Sequence, residues 1–458
     1  MRIGIVPYLN SNWGGVYQYS LTVLRALQES VNAGMRHNFV VFTDQPNHIS
    51  LSGLDRRYWR VRSSEPISYL TNLRRVVGEG PHRDLWRLMR RRIAGMAPAS
   101  SEVQVERQYN PEAISVDYKL QKWFRHCGVE LMVYSSPYQY PLEAALPFIL
   151  AVHDLQHRVH PEFLEVSANG EWMRREYFCR NGARYATLLL ADSEIGRQDI
   201  LNYYGEYGAT EDRVKVLPFM SAASINEAPL NDDNLNVRTS IALPERYMFY
   251  PAQFWPHKNH AILVRALGWV KSHTGMDIHL VFCGANTGLI RGQTFQDVMT
   301  LAMEQDVTRQ IHYLGYVKDS QMAGLYKEAV ALVMPTHFGP TNIPIIEAWA
   351  LGCPVLTSDV RGIREQVGDA GLLVDPCSVE GVAGAMTKLW TDSRLRQDLV
   401  RRGMARQEGN KPQDFQRRLA LIIEEGVLRV QQGKTPQFPM VVKRMRANAA
   451  GNIFCHSS

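Results

Sequence analysis

Two stretches of this chain carry residues that could handle an anion. In YPAQFWPHKNHAILVRAL, residues 250–267, a strand pattern runs through a tight turn into a helical pattern. Lys258 stands just before that helix, with Asn259 as its expected cap. A cation is disfavoured there, because the first-turn N–H groups form the positive end of the helix dipole. Lys258 beside His257 makes sense if an anion binds, and lysine is a good point charge for phosphate. A solvated surface lysine is the plain alternative. The second stretch, MPTHFGPTNIPIIEAWALGCPVLTSD, residues 334–359, reads strand, loop, helix, strand. Asn342 is the expected cap, and Pro344 is tolerated only in a first helical turn. Parallel sheets bind ligands past the carboxyl ends of their strands, where the next helix presents free N–H groups. Pro340, Thr341, Asn342 and Ile343 therefore lie where a phosphate would be cradled. Glu347, one turn further in, can accept hydrogen bonds from a ribose diol, or can merely complement the helix dipole.

The elements that must position these residues alternate in type. Strand patterns fall at residues 3–6, 39–42, 130–134, 148–152, 187–191 and 214–217, then at 247–251, 279–283, 311–314, 331–334 and 354–357. They are mostly continuous apolar runs separated by helical patterns, which implies parallel sheets covered on both faces. The expected class is α/β, two Rossmann-like domains facing a cleft. At 458 residues two domains are expected, because a single core stops growing near ~250–300 residues. The first is expected over residues 1–220, a linker over 221–240, the second domain over 241–412, a helix over 415–430 and a polar, then basic, tail from 431 to 458.

Composition excludes several classes. No apolar run approaches the ~18–20 residues that cross a bilayer, and MRIGIVPYLN reads as a first strand, not a signal peptide. The six cysteines form no CxxC pair, which argues against a disulfide framework or zinc ribbon and suits a reducing, cytoplasmic setting. A net charge of +6 permits anionic partners without requiring them. One segment, about residues 66–115, breaks the α/β rhythm. It carries Arg74, Arg75, Arg83, Arg87, Arg90, Arg91 and Arg92, with Leu85, Leu88 and Met89 at helical spacing beside Trp86. It reads as an inserted basic amphipathic helix, either simply solvated or in peripheral contact with an anionic membrane or acceptor. No nucleic-acid module accompanies it.

Taken together, the motifs resemble the retaining glycosyltransferases of family four, the GT-B group that transfers sugars from nucleotide donors. In that family a helix of the second domain carries two glutamates separated by seven residues. The second matches Glu347; the first falls on Gly339 and is missing, in a loop reading GPTN. The family's phosphate-binding arginine and lysine fall on Gln253 and Lys258, so the arginine is replaced as well. Gly14 and Gly15, between the first strand and a helix, match its N-terminal glycine-rich loop. Paired glycines allow a close backbone approach to a diphosphate or acceptor, but also occur in any tight strand-to-helix turn. His153, in AVHDLQHRVHPEF, falls at the place of the acceptor-side histidine near the transferred sugar. Ser193 and Arg197 match a Ser-x-x-x-Arg stretch, and GLLVDP, ending at Pro376, the closing motif. The resemblance spans roughly residues 1–430 apart from the basic insertion.

The resemblance implies a GT-B fold, with the donor nucleotide held by the second domain and the acceptor mainly by the first. It implies transfer of a sugar, with mannose as one candidate, to a glycan or lipid-linked acceptor as in polysaccharide biosynthesis, with retention of configuration. His153, Lys258 and Glu347 would be the catalytic residues. Gly14, Gly15, Gln253 and the 340–343 turn would complete the donor site, with Ser193 and Arg197 beside it. No cofactor is expected, the nucleotide sugar being a substrate, and no metal. His153, Asp154, His157 and His160 have spacings that zinc can use, but no cysteine or HExxH pattern accompanies them. A sugar contact suits His153 better, a satisfied interfacial histidine being the bland alternative. The other readings are a nucleotide-sugar-binding scaffold subunit of weak activity, favoured by Gly339 and Gln253, and a GT-B sugar-nucleotide epimerase.

Overall fold

The computed structural model describes residues 1–10, 14–63, 109–114, 116–137, 142–221, 241–408 and 410–438. Most of the basic insertion, nearly all of the linker and most of the tail lie outside the described residues.

The first sheet is built from β1 (Arg2–Val6), β2 (Asn38–Thr43), β3 (Trp59–Ser63), β4 (Leu131–Tyr134), β5 (Phe148–Ala151), β6 (Leu188–Ala191) and β7 (Val214–Val216). Helices α1 (Gly15–Asn32), α2 (Glu171–Tyr185) and α3 (Glu194–Tyr204) belong to this half. The second sheet holds β8 (Met248–Pro251), β9 (Leu280–Cys283), β10 (Ile311–Tyr313), β11 (Leu332–Met334), β12 (Val355–Ser358) and β13 (Leu372–Val374). Its helices include α4 (His260–Thr274), α5 (Leu289–Glu304) and α6 (Ile343–Ala350). A last helix, α7 (Pro412–Gln431), starts with proline in its first turn, where the missing N–H costs nothing.

Strand order is β3-β2-β1-β4-β5-β6-β7 in one sheet and β10-β9-β8-β11-β12-β13 in the other, and the pairings are parallel. In the first sheet Ile3 lies opposite both Phe39 and Leu131. In the second, Phe249 lies between Val281 and Leu332. The all-apolar strands FILA, LLLA and LVFC are buried at every residue, as strands covered on both faces must be. These are the two parallel sheets that the apolar runs predict.

Both sheets share one topological feature that decides where ligands can bind. Each starts at an inner strand, β1 or β8, builds to one edge, then crosses back to β4 or β11. At such a reversal the flanking loops diverge and leave a crevice beyond the carboxyl ends of the strands. The turn after β1 leads to Gly14, the turn after β8 to Lys258 and the turn after β11 to residues 339–343. Helix α7 belongs to the first half by packing. Phe415, Leu419, Ile422, Ile423 and Val427 are buried with Leu24, Leu27 and Leu131 in one core. That core also takes in Ile346 of α6, so the two halves share apolar contact. Among the described residues no helix is long and apolar enough to cross a membrane.

Candidate active site

The turn after β8 fixes Lys258 through its backbone. Residues Pro256–Lys258 form a single 3-10 turn, and Asn259 then adopts a left-handed conformation (φ 57°) before α4. The Tyr250 hydroxyl donates to the Lys258 carbonyl at 2.8 Å. Asn259 occupies the cap position but does not cap with its side chain. Its Nδ2 donates instead to the carbonyls of Pro335 (3.0 Å) and Pro376 (2.9 Å), tying together the ends of β8, β11 and β13. The Lys258 side chain is partly buried and has no ion-pair partner among the described residues. Burial pushes its ammonium down to about 8, opposed by the charges of Asp154 and Glu165. Next to it, His257 Nδ1 lies 2.6 Å from Glu165 Oε1 of the first domain. Burial foremost, and then Lys258, push this imidazole down to about 4, so it is neutral and donates to the carboxylate.

The turn after β11 is stitched to the first. Thr336 Oγ1 (3.0 Å) and the His337 amide (2.8 Å) both donate to the His257 carbonyl. Asn342 again holds the cap position without capping: its Nδ2 donates to the Gly339 carbonyl at 3.3 Å. Its backbone amide is spent on Gln366 Oε1 (2.9 Å), while Gln366 Nε2 returns a bond to the Asn342 carbonyl (3.0 Å). Pro340 has no N–H. The cradle expected over residues 340–343 therefore narrows to the amides of Thr341 and Ile343. Thr341 Oγ1 reaches across to the Asp192 carbonyl of the first domain at 3.5 Å. Glu347 is 9% exposed, and its Oε2 accepts from the buried Tyr326 hydroxyl at 2.8 Å. The carboxylate is thus oriented by a hydrogen bond and not merely set against the helix dipole.

The first domain closes over these turns with its glycine pair. Gly14 has φ 54° and ψ −118°, a conformation that side chains rarely adopt, and leads directly into α1. A Cβ on Gly14 would stand 3.4 Å from Gln253 Nε2, and one on Gly15 would stand 3.6 Å from Ile343 Cδ1. So Gly14, Gly15, Gln253 and Ile343 meet in one cleft. His153 follows β5. Its Nε2 lies 2.7 Å from the Ser135 carbonyl, and its ring packs edge-on to Tyr19 at 4.8 Å. Burial lowers its pKa, so the ring is neutral. A carbonyl can only accept, so the proton is on Nε2 and Nδ1 carries the lone pair.

Other sequence candidates have different tasks. Asp154 pairs with Arg175 (2.9 Å), His157 is buried against Glu176 (2.9 Å) and Tyr204 (3.1 Å), and His160 meets Glu162 (2.8 Å). Among the described residues, no three His, Cys, Asp or Glu side chains gather to hold a metal ion. Ser193 and Arg197 both make bonds around the start of α3. Ser193 accepts from the Gly196 amide (3.0 Å) as the cap of α3. Arg197 is held by Glu194 (2.9 Å) and the Val214 carbonyl (3.3 Å). These bonds fix the start of α3 and pack it on β7.

Sequence reasoning missed three groups. Glu165, from a turn that reads as plain connection, supplies the carboxylate on His257. Asp199 and Arg361 pair between the domains at 2.7 and 3.0 Å. Arg291 Nη1 donates to Gln253 Oε1 at 2.9 Å. Only Arg291 carried a signal, a cation in the first turn of a helix, the same conflict that marked Lys258.

Two doubly wound parallel domains whose switch-point turns face each other define the GT-B architecture. Solved structures agree on that fold. Anabaena HepE, in complex with UDP and glucose, matches with a TM-score of 0.63 at 14% identity, covering 93% of this chain and 99% of that one. A glycosyltransferase from Rickettsia africae gives 0.60 at 13% identity, covering 93% and 98%. Residues 232–406 match the family model of the glycosyl transferases group 1. The chain is 29% identical over 223 residues to O-antigen chain mannosyltransferase B of Escherichia coli, 48% of this chain and 56% of that protein. A D-inositol 3-phosphate glycosyltransferase of Acidothermus cellulolyticus is 28% identical over 206 residues, 43% of this chain and 45% of that one. The chain thus spans about half the length of the curated relatives it matches.

Proposed function

We propose that this protein is a glycosyltransferase that moves a hexosyl group from a nucleotide-sugar donor to a glycan or lipid-linked acceptor, with retention at the anomeric carbon. One observation carries the reading. Lys258, a partly buried cation without a carboxylate partner among the described residues, lies on a turn stitched to the 339–343 turn, and the glycine turn of the opposite domain closes over both. That is a station for an anionic group shared by two domains, as a nucleotide diphosphate bearing a sugar would be.

The chemistry follows from charge. As the bond between the sugar and its leaving diphosphate breaks, negative charge builds on the leaving oxygen. The Lys258 ammonium and the Thr341 and Ile343 amides supply a positive field fixed in place before reaction, which needs no reorganisation as charge develops. Glu347, oriented by Tyr326, takes the ribose diol. His153 offers its Nδ1 lone pair to a sugar hydroxyl. Attack on the same face lets the leaving oxygen take the acceptor proton, so no protein nucleophile is required. The cation is supplied by lysine, which supports a reaction independent of metal. Mannose is the first sugar to try, since the Escherichia coli relative is a mannosyltransferase by name.

The test is a panel of mannosyl, glucosyl, galactosyl and N-acetylglucosaminyl nucleotides, each incubated with the protein while diphosphate release is followed. Slow hydrolysis of one donor, accelerated by an acceptor, is the expected result. Tight nucleotide binding with no turnover would replace this reading with a scaffold subunit, which Gly339 and Gln253 favour. A changed sugar nucleotide in the absence of acceptor would replace it with an epimerase.

A further inference from the structure

Arg291 is a cation that the catalytic reading leaves without a task. It stands in the first turn of α5, at the carboxyl end of β9, where the helix dipole disfavours positive charge. It is partly buried and has no ion-pair partner among the described residues. What holds it is neutral. Nε donates to the Thr287 carbonyl at 2.8 Å, and Nη1 donates to Gln253 Oε1 at 2.9 Å. The guanidinium lies 4.8 Å from the centre of the Trp255 ring, whose Nε1 donates to the same Gln253 oxygen at 3.0 Å.

These contacts make a fixed unit. Gln253 and Trp255 come from the turn after β8 and Arg291 from the turn after β9, and strand pairing sets those turns side by side. The unit faces the opposite domain, because the amide end of Gln253 is the group nearest a Cβ built on Gly14. Trp255 and Gln253 lead directly into the turn that holds Lys258. A guanidinium carries five N–H donors in a rigid fork, and the two bonds above leave Nη2 and part of Nη1 unspent. That fork matches two phosphate oxygens at once. Partial desolvation lowers the Arg291 pKa without a carboxylate to offset it, as suits a cation awaiting an anion.

We propose that Arg291 grips the donor diphosphate, held at its station by Gln253 and Trp255 and sharing the anion with Lys258. This rests on the cleft being a nucleotide-sugar site. The contact belongs to the donor and not to a phosphate on the acceptor, because Arg291, Gln253 and Lys258 all come from the domain whose switch-point turns face the glycine pair.

The experiment is calorimetric titration of the full chain with ADP, CDP, GDP, UDP and dTDP, and with the nucleoside of whichever binds. Wild type, Arg291→Gln and Arg291→Lys are compared, with melting temperatures as a check on folding. Loss of a charge-assisted hydrogen bond predicts diphosphate affinity lower by roughly 10- to 100-fold in Arg291→Gln, with nucleoside affinity and melting unchanged. Arg291→Lys should recover part of the loss as a point charge. Wild-type diphosphate affinity in Arg291→Gln would overturn the proposal and leave the donor site standing. An equal loss for nucleoside and diphosphate would make Arg291 a brace and overturn it too. Binding of no diphosphate by wild type would remove the donor-site reading and this proposal with it.

Discussion

Replacing Lys258 with arginine and following nucleoside diphosphate binding from about pH 7 to pH 10 separates charge from shape at the centre of the cleft. Burial brings the lysine ammonium to about 8, from an ordinary value of 10.5. Below pH 8 the free protein holds the charge, and affinity should be flat. Above it, the protonated fraction falls tenfold per pH unit. A bound anion favours the charged form and raises its pKa, so binding takes up a proton across this window. Affinity should then fall by up to roughly tenfold per unit, about 100-fold by pH 10 if the bound form stays charged. The phosphates do not confuse the reading, because their last ionisation lies near pH ~6. Lys258→Arg keeps its charge throughout and should bind with no pH dependence. Lys258→Ala should lower turnover by roughly 100- to 1000-fold, the usual loss when one preorganised group facing developing charge is removed.

Stability provides a second observable with the opposite sign. A lysine whose folded pKa is depressed destabilises the fold while it is charged. That cost is full below pH 8 and is relieved between about 8 and 10.5, where the unfolded chain holds the proton and the folded chain does not. Binding should weaken with rising pH while the contribution of Lys258 to stability improves. Melting curves of wild type and Lys258→Arg, run beside the titrations, give that difference. Wild-type affinity constant to pH 10, or an alanine variant that transfers sugar at wild-type efficiency, would refute the assignment of Lys258 to the donor anion.

Glu347→Ala should weaken donor binding and lower turnover, since removing a hydrogen bond to a charged group costs roughly 1.5–3 kcal/mol; transfer kinetics at wild-type efficiency would show that the nucleotide is bound elsewhere. Sugar transfer should survive EDTA, because Lys258 and helix amides supply the positive field; complete loss, restored by magnesium or manganese, would require a metal in its place. Changing Arg87, Arg90, Arg91 and Arg92 to Gln should abolish co-sedimentation with anionic vesicles at low salt, each arginine being worth about 1 kcal/mol at such a surface. Donor affinity should be unchanged in that variant, while sedimentation equal to wild type at every salt concentration would return the segment to a solvated helix.

The sheets were legible because parallel strands buried on both faces are written as unbroken apolar runs. Two strands escaped for local reasons. In β3, WRVRS, Arg60 and Arg62 interrupt the run, as an edge strand permits. In β13, LLV, a run at an edge of the second sheet stands between Gly371 and Pro376 and reads as part of a loop. The capping rule located Asn259 and Asn342 but not their bonds, because each amide finds a nearby carbonyl that the helix start does not offer. Ser193 is the reverse case. A serine directly before a helix is the ordinary signature of a cap, and here the side chain makes that bond. Tyr326 on Glu347 and Arg291 on Gln253 were illegible, since each pair meets only after the sheet has brought separate turns together.

One departure from the family pattern also has a physical reason. Gly339 has φ 152°, where a side chain is strained, and a Cβ there would stand 2.5 Å from Asn342 Nδ2. The space a glutamate would enter is filled by Asn342, whose bond to the Gly339 carbonyl holds the turn closed. A side chain at this position would be strained in this backbone conformation and would have to displace the Asn342 amide. Close by, Glu165 reaches His257 from the first domain, and the His257 carbonyl holds both Thr336 and His337. The same bonds that set the second-domain turns thus register the first domain against them, one residue from Lys258. Asp199 with Arg361, and Thr341 with the Asp192 carbonyl, add contacts between the same two domains. If the first domain holds the acceptor, as proposed, a donor bound at Lys258 would meet it already aligned. Preorganisation of that kind is what a reaction without a protein nucleophile must rely on, because holding two reactants in line removes much of the entropic barrier to their meeting.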